Sequence, residues 1–207
     1  MDNDDVPRER WRFRPNPWDL PIALVLLAVV VGLLRCSPDV RTARIAADRA
    51  ADEANLRQIH AWLLQQRRAG LVPTAGGHRL LLQLWTRGTI EPTAENLTRF
   101  FTPGRREMDP RYEDLRARLL RGEAIWTDLE LTTSQDTHYA ALATPFLGHL
   151  FDAGQVIAAD DCEEGWPFAP HVVNVLYGDG RVRELQLDEL PVFGPHSPTP
   201  ELRCLER

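Results

Sequence analysis

Hydrophobic residues are concentrated in one uninterrupted run near the amino terminus. Residues 20–34 read LPIALVLLAVVVGLL and contain no charged side chain. Because the run is apolar on every face, it lacks the polar stripe that a surface helix presents to water. About 20 apolar residues cross a bilayer. We therefore predict a transmembrane helix over residues 20–36 and a short cytoplasmic tail over residues 1–19, the alternative being a helix enclosed in a core.

The flanks of this run favour a retained anchor over a removed signal peptide. The tail carries acidic residues besides its arginines, and no A-x-A site follows the run. An alternative mode of membrane attachment is lipidation of Cys36. Arginine is equally frequent on both sides, so the positive-inside rule does not decide the orientation. The short tail and long carboxy-terminal region favour a single-pass protein of a bacterial inner membrane with a periplasmic head.

A second helical pattern follows the apolar run. Residues 41–68 contain neither glycine nor proline and are rich in alanine, which favours a helix. Apolar residues then recur at spacings of three and four, and this stripe consists of Leu56, Ile59 and Leu63. Asp52 is one of the charged residues that we assign to the other faces. We predict an extramembrane helix over residues 37–69.

Shorter elements, separated by glycine and proline, fill residues 70–207, which we interpret as a globular α+β head. Helical patterns cover residues 79–85, 95–101 and 112–121, and strand patterns cover residues 125–132, 137–144 and 155–159. The clearest hairpin signal is a pair of β-type runs, residues 172–177 and 181–187, on either side of Gly178-Asp179-Gly180. The last 17 residues contain four prolines and predict irregular structure.

Composition removes several classes of function. The net charge is −6, so the chain lacks the basic surface that nucleic-acid binding requires. All 24 basic residues are arginine, which excludes a Schiff-base lysine and a phosphate-loop lysine. No glycine-rich nucleotide fingerprint is present.

A stretch without basic residues carries the clearest candidate for ion binding. Residues 122–180 contain carboxylates but no arginine. Four of them are clustered: Asp160, Asp161, Glu163 and Glu164. Such a cluster is a solvated acidic surface, a surface for a basic partner, or a calcium site, because calcium takes six to eight oxygen ligands.

The remaining chemical candidates are few. Cys162 and Cys204 form a disulfide if the head lies in an oxidising compartment, and are otherwise two free thiols. The histidines show no zinc-ligand spacing. Ser134, Asp136 and His138 supply the residue types of a catalytic triad, but no nucleophile motif accompanies them. We therefore predict that the protein is not an enzyme.

Two motifs and the order of elements resemble type IV pilins and type II secretion pseudopilins. Residues 171–182 (HVVNVLYGDGRV) are similar to the final hairpin of pilin-like proteins with a His…Asp-Gly signature, in which the matching residues here are His171, Asn174, Gly178, Asp179 and Gly180. Residues 55–61 (NLRQIHA) are similar to a stretch in their long helix, and residues 136–139 (DTHY) resemble one of their strands. The likeness covers residues 20–190.

The resemblance implies a fold, a ligand and partners. It implies a transmembrane helix continuing into a long amphipathic helix packed on a small antiparallel sheet. It implies calcium at Asp160, Asp161, Glu163 and Glu164, a Cys162–Cys204 staple, and contacts with pilin-like subunits or secretion machinery. The chain departs from the family before its apolar run, where residues 16–20 (NPWDL) replace the prepilin peptidase motif. We therefore expect an uncleaved anchor.

Three functions are compatible with these features. The first is a non-enzymatic, membrane-anchored pilin-like envelope protein with a structural or interaction role in a secretion or pilus-type system. The second is a single-pass membrane protein whose periplasmic head is a binding or regulatory module unrelated to filaments. The third, a membrane-tethered hydrolase, requires a pocket with convergent titratable groups. None of the three calls for a cofactor other than calcium.

Overall fold

A computed structural model of the chain describes residues 19–35, 38–161, 171–187 and 193–207. The chain divides into two compact units, Met1–Ala43 and Arg44–Arg207. The second unit is α+β, as the sequence predicts, and contains a five-stranded antiparallel sheet.

The first unit contains the apolar run as a helix. Helix α1 covers Asp19–Arg35 and has 17 residues. Its large apolar side chains from Leu20 to Val31 are 41% to 72% exposed within the chain. In the part of the chain that the structure describes, no helix combines the length and the apolar character that a membrane span requires.

Helix α2 covers Pro38–Arg68 and crosses from the first unit into the second. The long helix predicted after the apolar run is therefore confirmed. We call residues 52–66 its docked segment, because its buried residues all fall there: Asp52, Asn55, Leu56, Ile59, His60, Trp62, Leu63 and Gln66. Asp52 is fully buried, so its assignment to a solvent-facing side was wrong.

Four short helices follow; three of them confirm the predicted helical patterns apart from their ends, and the third along the chain, at Pro103–Arg106, was not predicted. They are α3 (His78–Thr86), α4 (Ala94–Thr98), α5 (Pro103–Arg106) and α6 (Pro110–Leu120). Asp109 caps α6 by accepting hydrogen bonds from the amides of Arg111 and Tyr112. The strand predicted over residues 125–132 is wrong: Asp128 accepts from the amide of Glu130, and a 3₁₀ turn, Leu129–Leu131, forms instead.

The sheet consists of β1 (Tyr139–Leu142), β2 (Val156–Asp160), β3 (Val172–Tyr177), β4 (Val182–Gln186) and β5 (Leu205–Glu206). Its spatial order is β4-β3-β2-β1-β5 and every neighbouring pair is antiparallel. The predicted hairpin is confirmed as β3 and β4. The irregular carboxy terminus was predicted incompletely, because Leu205 is buried and its strand pairs with β1.

Both faces of the sheet are covered. One face packs with α2, α3 and an aromatic cluster made of Trp62, Trp85, Phe100 and Trp126. The other face buries a smaller set that includes Val173, Val175, Leu202 and Leu205. Polar residues on the α2 side of the sheet therefore have no access to bulk water. Each of them needs a hydrogen-bond partner within the protein.

Candidate functional site

The docked segment of α2 meets the sheet through a buried polar cluster. The Tyr139 hydroxyl donates to Oδ1 of Asp52 at 2.6 Å, and the Asn174 side-chain amide donates to Oδ2 at 2.8 Å. Asp52 thus contacts residues of β1 and β3, and Asp160 of β2 lies close enough to influence its pKa.

Strand register explains why these groups meet. Tyr139 of β1 lies opposite Asp160 of β2, and Asp160 lies one residue beyond the pair formed by Ala159 and Val175. The backbone amide of Asn174, next along β3, donates to Oδ2 of Asp160 at 3.0 Å. Because residues opposite each other on neighbouring strands share a face of the sheet, this places three polar side chains in one row beneath α2.

Asn55 extends the cluster by one turn of α2. Its side-chain amide donates to the Phe101 carbonyl at 3.4 Å and approaches the Tyr139 hydroxyl at 3.5 Å. Its side-chain oxygen accepts from the Arg99 guanidinium at 3.1 Å. The cluster is therefore linked to the segment that carries α4 and α5, and not only to the sheet.

Burial dominates the electrostatics of the cluster. It raises the pKa of Asp52 to about 6, although hydrogen bonds from Tyr139, Asn174 and Asp160 oppose the shift. Burial, followed by the charge of Asp52, raises the pKa of Asp160 well above its usual value. The same two causes raise the pKa of Tyr139, which is a neutral donor at physiological pH.

A second contact joins α2 to the hairpin turn. Nε2 of His60 donates to the Gly178 carbonyl at 3.1 Å. Gly180 has φ +85°, and a Cβ added there would lie 2.7 Å from Nδ1 of His60. A Cβ at Gly178 would collide with the backbone of Asp152. The two glycines are thus required for different reasons, close packing at Gly178 and both packing and conformation at Gly180.

The other two motif residues shape the hairpin itself. Asp179 accepts from the amide of Arg181 at 3.0 Å, and this hydrogen bond lowers the pKa of its carboxyl group. His171 has φ +66°, and its carbonyl accepts from the amide of Leu187 at the open end of the hairpin. Among the five motif residues, Asn174 and Gly178 hydrogen-bond to α2, and Gly180 packs closely against His60.

Sequence reasoning missed Asp52 and Tyr139 as partners. The signal for Asp52 was present: it precedes Leu56 by four residues and Ile59 by seven, so the apolar stripe extended backwards passes through it. A buried acid on that stripe demands a donor. Tyr139 lay in a predicted strand, but nothing local identifies the carboxylate to which its hydroxyl donates.

The predicted calcium site is not assembled by the residues that the structure describes. Asp160 accepts from the backbone amide of Asn174, whereas Asp161 pairs with Arg207. Both acids are buried and Asp160 ends strand β2, so neither lies on a solvated surface. Glu163 and Glu164 lie outside the described residues. No group of three or more metal-ligating side chains occurs in the described ranges, and the calcium site stays a prediction.

The predicted disulfide involves one residue that is described and one that is not. Cys204 forms no disulfide with a described residue; its sulfur accepts from the Gln155 side chain at 3.0 Å, and burial raises the pKa of its thiol. Its sulfur lies 3.5 Å from the carbonyl oxygen of Val156, the first residue of β2. Cys162, like Cys36, is outside the described residues, so the pairing stays a prediction.

Ser134, Asp136 and His138 do not form a catalytic relay. Nδ1 of His138 accepts from the amide of Thr102 at 3.2 Å, so Nε2 carries the proton that faces Asp109 at 2.6 Å. Asp136 instead accepts from the guanidinium of Arg111 at 2.7–2.8 Å. Ser134 and His138 line a cleft of about 480 Å³. The prediction that the protein is not an enzyme remains a prediction.

Comparison with known proteins finds no matching family model, no characterised protein of similar sequence and no solved structure of similar fold.

Proposed function

We propose that the chain is a non-enzymatic, membrane-anchored, pilin-like envelope protein with a structural or interaction role in a secretion or pilus-type system. In this proposal α1 is the membrane anchor, and the second unit is a periplasmic head. The pilin peptidase motif is missing before α1, so the anchor stays uncleaved.

One observation carries the proposal: the two motifs that resemble pilin-like proteins contact each other. Asn55 and His60 come from the motif on α2, and Asn174, Gly178 and Gly180 come from the hairpin motif. His60 donates to Gly178, and both Asn55 and Asn174 belong to the cluster around Asp52 and Tyr139. A long helix held across an antiparallel sheet by these residues supports a pilin-like head.

The surroundings of α1 support an anchor. From Leu20 to Val31 the large apolar side chains are at least 41% exposed, and burial of each in lipid or against another helix is favourable by about 1.5–3 kcal/mol. In this proposal the bilayer buries these side chains and, in an assembly, helices of neighbouring subunits also bury them.

Crosslinking in the native host tests the assembly role. A photo-reactive residue is placed at Ala47, which is exposed on α2, and in a matched control at Gln135, which is exposed on a 3₁₀ turn of the head. The proposal predicts adducts at Ala47 with a second copy of the chain or with another pilin-like subunit, and few at Gln135. If neither position yields such adducts while the protein is in the membrane fraction, the filament-related role is wrong and the single-pass binding module is favoured.

A further inference from the structure

Strand β4 forms one edge of the sheet. It covers Val182–Gln186 and pairs with β3 alone, in an unbroken antiparallel register. The strand at the other edge, β5, has only two residues. Among the described residues, β4 is therefore the longer stretch of strand backbone with one side unpaired.

Hydrogen bonds at the two ends of the hairpin show which backbone groups of β4 are open. The amide of Tyr177 donates to the Arg181 carbonyl, and the amide of Leu187 donates to the His171 carbonyl. Residues of an antiparallel strand alternate between bonding to the neighbouring strand and pointing away from it. Every second residue of β4 therefore points its N–H and C=O groups away from β3, without a backbone partner in the described ranges. These open residues are Val182, Glu184 and Gln186.

A groove of about 290 Å³ lies beside the open residues, between β4 and α2. The guanidinium of Arg49 on α2 is paired there with the carboxylate of Glu184, so these two charges offset each other. Apolar side chains form much of the remaining lining. The groove therefore suits a small apolar side chain, next to backbone groups that are available for hydrogen bonds. Its lining includes Ala46, Arg49, Ala50 and Glu53 of α2, and Val182 and Glu184 of β4.

The opposite face of β4 carries an exposed positive charge. Arg183 is exposed, and its guanidinium lies 5.9 Å from the centroid of the Tyr177 ring. Opposite charges directly across from each other stabilise a strand pair, and like charges destabilise it. An added strand is therefore favoured if it has an acidic residue opposite Arg183 and small apolar residues at the alternate positions, which face the groove.

A second copy of the chain matches this edge poorly. Two copies related by a twofold axis would pair their β4 strands antiparallel. The register that engages all three open residues then sets Glu184 opposite Glu184, and like charges in such a pair are unfavourable. An extended segment of a different protein is free of this conflict.

We propose that the open edge of β4 binds an extended segment of a partner protein as an additional strand, with small apolar side chains in the groove beside α2 and an acidic side chain opposite Arg183. In this mode of recognition main-chain hydrogen bonds supply affinity, and pockets for alternate side chains supply specificity. The surface belongs to the second unit alone. It therefore stands or falls independently of the proposed anchor.

Binding of a synthetic peptide to the full-length protein in detergent micelles tests the proposal. The probe is a short capped peptide in which valine alternates with threonine and with one central glutamate. Residue-resolved hydrogen exchange should show that the amides of Val182, Glu184 and Gln186 gain protection when the peptide is added. A second peptide, methylated on the backbone nitrogens of alternate residues, cannot form the same hydrogen bonds and should bind at least about tenfold more weakly.

Two substitutions at one position separate the backbone of β4 from its side chain. Glu184→Pro removes an N–H that points away from β3, so the hydrogen bonds between β3 and β4 are kept. Glu184→Ala removes the same carboxylate but keeps the N–H. The proline variant should bind the peptide at least about tenfold more weakly than the alanine variant. The methylated peptide needs no change to the protein, so the test holds even if the proline variant does not fold.

The proposal is overturned if the three amides gain no protection at about 1 mM peptide. It is also overturned if the methylated peptide binds as well as the unmodified one, or if the proline and alanine variants bind equally. Protection of these amides before peptide is added would mean that the edge is already covered, by a second copy if the protein sediments as a dimer and by its own chain if it is a monomer. Either result would contradict the assignment to a different protein.

Discussion

Helix α1 and the docked segment of α2 place similar residues in opposite surroundings. Leu26 of α1 is 59% exposed, whereas Leu56 of α2 is fully buried. Conversely, α1 is almost purely apolar, whereas the docked segment also buries Asp52, Asn55 and Gln66. Hydrophobicity along the sequence therefore identifies apolar side chains whose burial is favourable. It does not tell whether the chain itself or something else buries them. In the docked segment, partners on the sheet determine which polar residues are buried.

The largest effect on the stability of the head should come from truncating the buried stripe. Leu56→Ala removes a side chain with no exposed surface, and should lower the free energy of unfolding by about 2–5 kcal/mol. Denaturant titration of the full-length protein in detergent measures the change. A loss below about 1 kcal/mol would mean that the docked segment is not packed on the sheet as described.

The hairpin contact should be the next most sensitive. Gly180→Val should cost about 1–3 kcal/mol for its positive φ, and more because its Cβ would meet His60. Gly88→Val is the matched control, since Gly88 has φ +66° but no atom within 4 Å of a Cβ. If both variants lose the same stability in thermal melts, the contact between His60 and the turn contributes nothing.

Removing one hydroxyl should test the polar cluster with little change in packing. Tyr139→Phe deletes the donor to Oδ1 of Asp52 and should cost about 1–2 kcal/mol at neutral pH. The control Tyr112→Phe alters another buried tyrosine that lies outside the cluster. Equal losses in the two variants would show that the cost comes from deleting any buried tyrosine hydroxyl, and not from the bond to Asp52.

The smallest effect should come from α1. Leu26→Ala shortens an exposed leucine in the first unit and should change the unfolding of the head by less than about 0.5 kcal/mol. Measured beside Leu56→Ala under the same conditions, it makes the same chemical change in the opposite surroundings. A comparable loss in the two variants would contradict the comparison between the helices.

Local signals predicted most of the elements but few of the contacts between them. The absence of glycine and proline indicated α2, and the Gly178-Asp179-Gly180 turn indicated the β3–β4 hairpin. The strand predicted over residues 125–132 failed because Asp128 caps a 3₁₀ turn, a local hydrogen bond that overrides β propensity. Strand β5 could not be foreseen, since its pairing with β1 joins distant parts of the chain.

The site was predictable only in part for the same reason. Asn174, Gly178 and Gly180 were identified from a motif, but their partners on α2 depend on which face of that helix meets the sheet. Asp160 was identified as an acid in a cluster, whereas its contact with Asn174 follows from strand register. Asp160 and Asp161 were grouped because they are neighbours in the sequence, but in the fold they have different partners, Asn174 and Arg207.

Membrane extraction of the full-length chain tests the central claim, that α1 is an anchor and the head is not. The variant carries Leu26→Arg and Val30→Arg in α1. The control carries Val72→Arg and Leu131→Arg, at apolar residues of the head that are 74% and 78% exposed. Each arginine near the centre of a span costs about 2.5–3.5 kcal/mol of insertion. The account predicts that alkaline carbonate releases the α1 variant and leaves the unmodified chain and the control in the membrane pellet. Release of the unmodified chain, or retention of the α1 variant, would contradict it.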